Sequence, residues 1–218
     1  TINGTSRFVN SVVDHDGILE ITSASDRLEL QNTTMTSQAG GSSNAALTGA
    51  GTLAVLSGST WDIKSAITMA QPMSLILEGG TISGSENLSI AGLFKWNGGS
   101  ITGTSTGSVF TTSGVVDLSF GSLSTDWLIA STGVVNWLGD ANSQLVITNA
   151  TITNEGRFNI KSAVAATSTT QTTTGAAGRD FSTSTGAVFI NKGGLLLGDK
   201  TLNSLEPITF NLNFTNDG

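Results

Sequence analysis

His15 is the only histidine in this chain of 218 residues, and its sequence context limits the chemistry it could perform. Because the chain has no cysteine, a metal centre made of several imidazole or thiolate ligands is excluded. A Ser-His-Asp triad would need the fold to bring a serine and a carboxylate to His15. The flanking run Asp14–Gly17 instead favours a turn before a strand.

A second set of polar residues could line a polysaccharide-cleaving site. Glycoside hydrolysis needs two carboxylates, and a lyase needs Lys or Arg beside the uronic-acid group. If consecutive turns of a repeat are in register, those from Lys95 to Asn159 form one outward stripe, with Asp62 expected on the same face. A ladder of Lys–Asp pairs and stacked Asn amides explains the stripe more simply than catalysis does. The residues that share the outward position of their strands are Glu20, Lys95, Asp117, Asn136 and Asn159.

The arginines are spread along the chain, and their spacing predicts no cluster. Arg157 is the only one in a recognised repeat strand, and the others are Arg7, Arg27 and Arg179. We therefore predict no catalytic, cofactor-binding or metal-ligating residue, no cofactor, and a protein that is not an enzyme.

Four tryptophans could be core residues or a sugar-binding platform. Trp96 and Trp137 take the last apolar position of their strands, and Trp61 begins a similar run. These positions predict burial in the core. The pattern around Trp127 assigns it to neither role. Solvent-exposed tryptophans would favour a carbohydrate-binding module.

Composition excludes several classes of protein. The formal net charge is −7, charged residues are 11% and hydrophobic residues 38%, which is not the composition of a charge-rich disordered chain. The longest apolar runs are far shorter than the roughly 18 residues that a membrane helix needs. Nine Lys and Arg provide no basic patch for nucleic acid. We expect neither nucleic-acid binding nor membrane insertion.

The pattern Gly-x-φ-x-φ, in which φ is apolar, recurs along the chain and indicates short strands with alternating faces. Its spacing fits a unit of roughly 17 to 23 residues and about ten units, if degenerate copies fill the long gaps. The pattern begins at Gly17, Gly51, Gly92, Gly114, Gly133, Gly156 and Gly186.

A longer match shows what one unit contains. Leu75–Gly84 and Phe94–Gly103 match position by position without a gap. Each of the two segments predicts a strand, a Gly-Gly corner that tolerates positive φ, and a second strand around Ile82 or Ile101. One unit cannot bury its apolar face alone, but stacked units can. We predict an all-β parallel β-solenoid, a right-handed β-helix with coils of about 20 residues, rather than an antiparallel sandwich.

Three segments depart from the repeat within this single 1–218 domain. Residues 163–184 are rich in Thr, Ala and Gly and are predicted to protrude as a loop. Asn32–Ala50 is weakly patterned and is predicted to be a mobile loop. Residues 208–215 alternate strictly and predict a terminal strand that caps the rod, continues into further repeats or pairs with a neighbouring subunit.

The runs Trp96–Gly103, Gly133–Trp137, Ile152–Ile160 and Val188–Gly194 resemble the repeats of large bacterial secreted β-helix proteins. Those proteins include filamentous-haemagglutinin-like exoproteins and autotransporter passenger domains. The resemblance covers residues 50–200 and implies export, surface display and an adhesive or structural role. Because the matching positions are turn and core positions, the resemblance is specific for architecture rather than for function.

The sequence therefore favours a non-enzymatic exported protein, either an adhesin segment or a structural fibre subunit. We expect it outside the cell or on its surface, with any signal segment removed or outside this chain. Expected partners are other copies, neighbouring repeats of a longer chain, a surface glycan, or a protein of a host or neighbouring cell. The alternatives are a polysaccharide lyase, hydrolase or phage-type depolymerase, favoured by a carboxylate pair with Arg or Lys in a cleft, and a carbohydrate-binding module.

Overall fold

The structure is a computed structural model that describes residues 1, 3–39, 45–105, 107–138, 143–160, 179–181, 187–197, 208–210 and 213–217. Of residues 179–181, 196–197 and 208–210 only the backbone is described. The regular elements of this part of the chain are all β-strands.

The described residues contain twenty-five strands. The first thirteen are β1 (Thr5–Val9), β2 (Val12–His15), β3 (Ile18–Ile21), β4 (Arg27–Gln31), β5 (Thr34–Ser37), β6 (Ala46–Gly49), β7 (Thr52–Leu56), β8 (Thr60–Ile63), β9 (Ile67–Met69), β10 (Ser74–Glu78), β11 (Thr81–Gly84), β12 (Leu88–Ile90) and β13 (Leu93–Gly103). The others are β14 (Val109–Thr112), β15 (Val115–Ser124), β16 (Asp126–Ile129), β17 (Val134–Trp137), β18 (Leu145–Ile147), β19 (Thr151–Asn154), β20 (Arg157–Ile160), β21 (Arg179–Phe181), β22 (Val188–Asn191), β23 (Gly194–Leu197), β24 (Ile208–Phe210) and β25 (Asn213–Asn216).

The chain visits three faces in each turn. The first face runs through β1, β4, β7 and β10 to β23, and the second begins with β2, β5, β8 and β11. Two long strands, β13 and β15, bend around the corner and join these faces into one 14-stranded sheet. The third face runs from β9 to β25 in a 7-stranded sheet, with the pair β3 and β6 below it.

The strands pair in parallel with their counterparts one turn away. Leu75 pairs with Phe94 and Ile82 with Ile101, which is the register that the repeat predicts. The chain is thus a parallel β-solenoid whose turns are spaced by roughly 22 residues, with nine strands on the first face among the described residues, and the predicted fold class is confirmed. Its right-handedness stays a prediction.

The nine described strands of the first face are close to the roughly ten units that the glycine pattern predicts, although the pattern marks more than one face. Gly17 precedes β3 of the third face, whereas Gly51 precedes β7 of the first. The gap from Gly17 to Gly51 is therefore not a whole number of turns. The residue before β10 is Met73, which is the degenerate copy inside one long gap.

The core lies between the three faces and is filled by alternate residues of each strand. In β10, Leu75 and Leu77 are buried, while Ile76 between them faces outward. An aromatic stack connects later turns through the core, with ring centroids 5.5 to 6.4 Å apart between successive members. Its members are Phe94, Phe110, Trp127, Phe158 and Phe189.

The predicted Gly-Gly corners join the first and second faces. Gly98 and Gly99 have φ values of +97° and +87°, a region that costs any other residue strain. A Cβ on Gly99 would also lie 2.2 Å from the carbonyl oxygen of Gly80 in the preceding turn. The prediction of positive φ at this corner is therefore confirmed, and close stacking of the corners adds a second reason for glycine.

The three segments predicted to depart from the repeat differ in how the structure describes them. The prediction of a mobile loop at Asn32–Ala50 is wrong where this segment is described, since it contains β5 and β6, each paired with neighbouring turns. The predicted loop at 163–184 lies outside the described residues except at β21, which pairs with β24. The predicted strand at 208–215 contains β24 and the greater part of β25, which pair with different faces.

Candidate functional site

The predicted polar stripe forms in part. Lys95, Asp117, Asn136 and Asn159 are register partners on the first face. The Nδ2 atom of Asn136 donates to Oδ1 of Asp117 at 3.1 Å, and Nδ2 of Asn159 donates to Oδ1 of Asn136 at 3.1 Å. The amide ladder is confirmed, and it uses the polar groups of the stripe for hydrogen bonds between turns.

Glu20 and Asp62 lie on other faces than the stripe. Glu20 is in β3 and pairs with Thr48, and Asp62 is in β8 of the second face and pairs with Ser83. The expectation that Asp62 shares the face of the stripe is wrong, because alternation distinguishes inward from outward positions but does not distinguish the three faces.

His15 has a serine partner that sequence could not locate. Its Nδ1 atom lies 3.0 Å from Oγ of Ser37 in the next turn, and the indole Nε1 of Trp61 donates to the same Oγ at 2.9 Å. Ser37 is 0% exposed, so no substrate reaches its hydroxyl. Burial lowers the pKa of His15. This Ser–His pair stabilises the core and does not form an accessible nucleophile.

All four tryptophans are buried. The predicted burial of Trp61, Trp96 and Trp137 is confirmed, and Trp127, which the sequence pattern did not assign, is also in the core. An exposed tryptophan platform for sugars is therefore not formed. The exposed phenylalanines of the described chain are Phe120 and Phe214.

Both end turns present strand edges that pair on one side only among the described strands. At one end these are β1, β2 and β3, and Phe8, Val13 and Leu19 pack inward while remaining partly buried. We call these three residues the N-terminal end face. At the other end are β23, β24 and β25, and Leu195 and Phe214 form the C-terminal end face. Phe214 is 42% exposed although its ring stacks on Phe189.

An ionic cluster lies on the outer surface of the first face. Arg7 in β1 is the register partner of Glu29 in β4, and Arg27 precedes Glu29 by two residues in the same strand. All three side chains therefore point outward and meet. The Nε atoms of both arginines contact the carboxylate of Glu29, that of Arg27 at 2.7 Å.

A groove of about 520 Å³ opens beside this cluster. The side chain of Glu29 is 11% exposed, whereas those of Arg7 and Arg27 are 57% and 30% exposed. The groove is also lined by Gln31, Leu56, Ser57 and Glu78. We call these seven residues the arginine groove.

Electrostatics keep Glu29 ionised. The hydrogen bond from Arg7, together with the positive charge of both arginines, lowers the pKa of Glu29 and outweighs the opposing effect of burial. A carboxyl held ionised is a poor general acid. The cluster can orient two guanidinium groups, but Glu29 is unsuited to donating a proton.

A second carboxylate fixes the start of the strands that carry the arginines. Oδ1 of Asp26 accepts a hydrogen bond from the backbone N–H of Gly4 at 2.6 Å, and Oδ2 accepts one from Ser23 at 2.9 Å. The same bonds lower the pKa of Asp26. The two strands that bear Arg7 and Arg27 are therefore tied together just before those residues.

Sequence analysis missed this groove because Arg7 and Arg27 lie far apart along the chain, on different strands. The sequence offered one signal: Arg7 and Glu29 are separated along the chain by one turn of roughly 22 residues. Among the described residues, no group of three His, Cys, Asp or Glu is placed to hold a metal ion. In the same part of the chain no helix is long and apolar enough to cross a membrane.

The fold is a parallel β-solenoid, and the arginine groove lies on the outer surface of its first face. Compared with known proteins, the chain matches no family model, no curated protein and no solved structure. The resemblance to secreted bacterial β-helix repeats stays a prediction.

Proposed function

We propose that this chain is a non-enzymatic structural rod, serving as a fibre subunit or as a segment of a surface adhesin. The observation that carries the proposal is the form of the two end faces. Each retains the three-strand order of an internal turn, with inward apolar side chains on all three strands at the N-terminal end and on β23 and β25 at the C-terminal end. A further turn would pair with either face as one internal turn pairs with the next.

In a fibre of this chain, the opposite end of a second copy would cover each end face. Phe214 takes the inward position of β25, and Leu19 takes the inward position of β3. Head-to-tail contact would therefore cover apolar side chains on both copies while extending the parallel sheets. Because such an interface is heterologous, its repetition produces an open filament.

Exposed apolar residues around the first turn support the same proposal. Val12 and Ile18 are 79% and 76% exposed and flank the unpaired edges of β2 and β3. Unpaired edges beside apolar side chains are templates for association with another strand. A partner turn would pair with these edges and cover one side of each outward-facing side chain.

We place the rod outside the cell or on its surface. The supports are the low content of charged residues, the repeats that resemble those of secreted β-helix proteins, and a turn-by-turn architecture suited to spanning distance. An adhesin segment would hold its binding surface away from the cell, and a fibre subunit would transmit tension along stacked sheets.

The test is the association state of the 218-residue chain from about 1 to about 100 µM, measured by sedimentation velocity and electron microscopy. We expect rods that lengthen with concentration. Phe214→Asp places a charge in the C-terminal end face and should abolish lengthening. Phe120→Asp is the matched control, since Phe120 is 51% exposed on the side of the rod. Strictly monomeric wild-type rods at all concentrations would overturn assembly by this chain.

A polysaccharide-active enzyme is the second candidate, and the arginine groove favours it. Glu29 and Glu78 lie there with two arginines, the combination that such a site requires. The ion pairs of Glu29 with both arginines argue against this candidate, because they keep the carboxyl ionised and unsuited to donating a proton. Incubation with acidic and neutral polysaccharides, followed by assays for new reducing ends and for unsaturated products, tests this candidate. Product formation that Glu29→Gln abolishes would establish an enzyme.

A further inference from the structure

The arginine groove presents two guanidinium groups whose outer nitrogens are available. Each arginine uses Nε to contact Glu29, and no described residue other than Glu29 forms a hydrogen bond or ion pair with either guanidinium. Because Glu29 holds the inner edge of both guanidiniums, the outer edges are oriented before any ligand arrives. Preorganised guanidinium groups lose less entropy on binding.

The rest of the groove carries neutral and acidic hydrogen-bonding groups around an apolar residue. Gln31, Ser57 and Glu78 are exposed, and Leu56 between them is half-buried. An amide, a hydroxyl and a carboxylate can bind hydroxyl groups, and Leu56 can contact the C–H face of a sugar ring. The groove is open to solvent along the outer face rather than enclosed.

Charge indicates which anion fits. Arg7 and Arg27 are balanced by Glu29 and Glu78, and the whole chain has a net charge of −7. A densely charged polyanion such as nucleic acid or a heavily sulfated glycan would be repelled by these carboxylates. A sugar acid carries one carboxylate for each unit and several hydroxyl groups, which matches two arginines beside a polar rim. A guanidinium fork also matches the planar geometry of a carboxylate.

We propose that the arginine groove binds an acidic polysaccharide through the carboxylate of a uronic-acid unit, with Arg7 and Arg27 as the carboxylate ligands. Gln31, Ser57 and Glu78 bind the hydroxyl groups of the same or the adjacent unit. Glu29 is a positioning residue that orients both arginines. The inference names a ligand class for the proposed adhesin, and it does not depend on end-to-end assembly.

The experiment is titration calorimetry of the full chain with a tetramer of uronic acid at low salt. Arg27→Gln should weaken binding at least about tenfold, because one charge-assisted contact is lost. Arg157→Gln should leave affinity unchanged, because Arg157 is exposed on the same face but three or more turns away from the groove. Arg7→Lys keeps the positive charge but removes the planar guanidinium group, so weaker binding would show that the geometry of the guanidinium contributes beyond its charge.

A second comparison uses the ligand instead of the protein. The methyl-esterified tetramer should bind at least about tenfold more weakly than the free acid, since it lacks the charge that the arginines pair with. A sulfated tetramer that binds more tightly than the uronic acid would contradict the assignment to carboxylates. The proposal would be overturned if the acid and the ester bind with equal affinity. It would also be overturned if Arg27→Gln and Arg157→Gln lose affinity equally, or if no binding is seen at millimolar ligand.

The outcomes also separate this inference from end-to-end assembly. Phe214→Asp, at the other end of the solenoid, should bind the tetramer like the wild type even though it does not form filaments. Loss of binding in Arg27→Gln is interpreted only if the thermal unfolding midpoint stays near that of the wild type. If Arg27→Gln unfolds, Ser57→Asp provides an independent test, because it adds a negative charge at the exposed rim of the groove and should weaken binding.

Discussion

His15 Nδ1 and Ser37 Oγ lie 3.0 Å apart inside the solenoid, on neighbouring turns of the second face. Ser37 also accepts the indole hydrogen bond of Trp61 from the turn beyond. Three consecutive turns are thus linked by one chain of side-chain hydrogen bonds. Position and burial make this pair structural, although its residue types match a catalytic pair.

Stability should fall as pH is lowered from about 7.5 to about 5, across the ordinary pKa of histidine near 6.5. Burial lowers the pKa of His15, and this outweighs the backbone hydrogen bonding of Gly17 and Ala46 and the nearby charge of Asp16, which raise the pKa. The folded state therefore binds a proton less readily than the unfolded state, so protonation favours unfolding. Full stability is present above the unfolded pKa and decreases below it. Urea unfolding at both pH values measures the effect.

The control for this prediction is His15→Asn, which lacks the titrating group. The carboxyls of Asp26 and Glu29 have lowered pKa values, so they remain ionised at pH 5 and contribute little to the difference. The unfolding free energy of the variant should change less between the two pH values than that of the wild type. Equal changes would show that His15 is not the responsible group.

Two buried tryptophans should respond differently to replacement by phenylalanine. The Nε1 atom of Trp127 donates to Oγ1 of Thr112 at 2.9 Å, whereas Nε1 of Trp96 is buried with no hydrogen-bond partner among the described residues. Trp127→Phe loses a hydrogen bond, and Trp96→Phe removes an unpaired donor. We expect Trp127→Phe to be less stable than Trp96→Phe by about 1–2 kcal/mol in urea unfolding. The reverse order would show that Trp96 has a partner in solution.

The buried asparagine ladder of the third face should be more sensitive to mutation than the outer ladder of the first face. Asn191 is buried, accepts a hydrogen bond from Asn154 and donates to Oδ1 of Asn216, both at 2.7 Å. Asn191→Ala should cost about 1–3 kcal/mol of unfolding free energy, because buried polar groups lose partners. Asn136→Ala in the half-buried outer ladder should cost less, since water replaces its partners. Similar losses of urea-unfolding free energy in both variants would contradict the role of burial.

The Gly-Gly corner gives a prediction about backbone conformation. Gly99→Ala should destabilise the protein by about 1–3 kcal/mol or more, because positive φ is strained for alanine and its Cβ would meet the backbone of Gly80. Gly17→Ala is the matched control, since a Cβ there has no atom within 4 Å. It should change stability by less than about 0.5 kcal/mol. Thermal unfolding of both variants with circular dichroism measures the difference.

Local pattern was sufficient for the fold because a solenoid repeats one local solution. Alternation of apolar residues predicts which side chains of β10 and β13 face the core, and glycine pairs predict the corners. The sequence match that aligns Leu75 with Phe94 is itself the register of two stacked turns. The amide ladder from Asp117 to Asn159 follows from the same spacing.

Other features needed the tertiary structure, because alternation does not state which face a strand joins. Asp62 was therefore expected on the wrong face. Arg7, Arg27 and Glu29 appear dispersed in the sequence, and they meet only because the first turn closes with β4 beside β1. The sequence by itself determined the inward and outward positions, since these depend on a period of two. Only the tertiary structure decided which outward side chains are neighbours, because that depends on the length of every intervening turn.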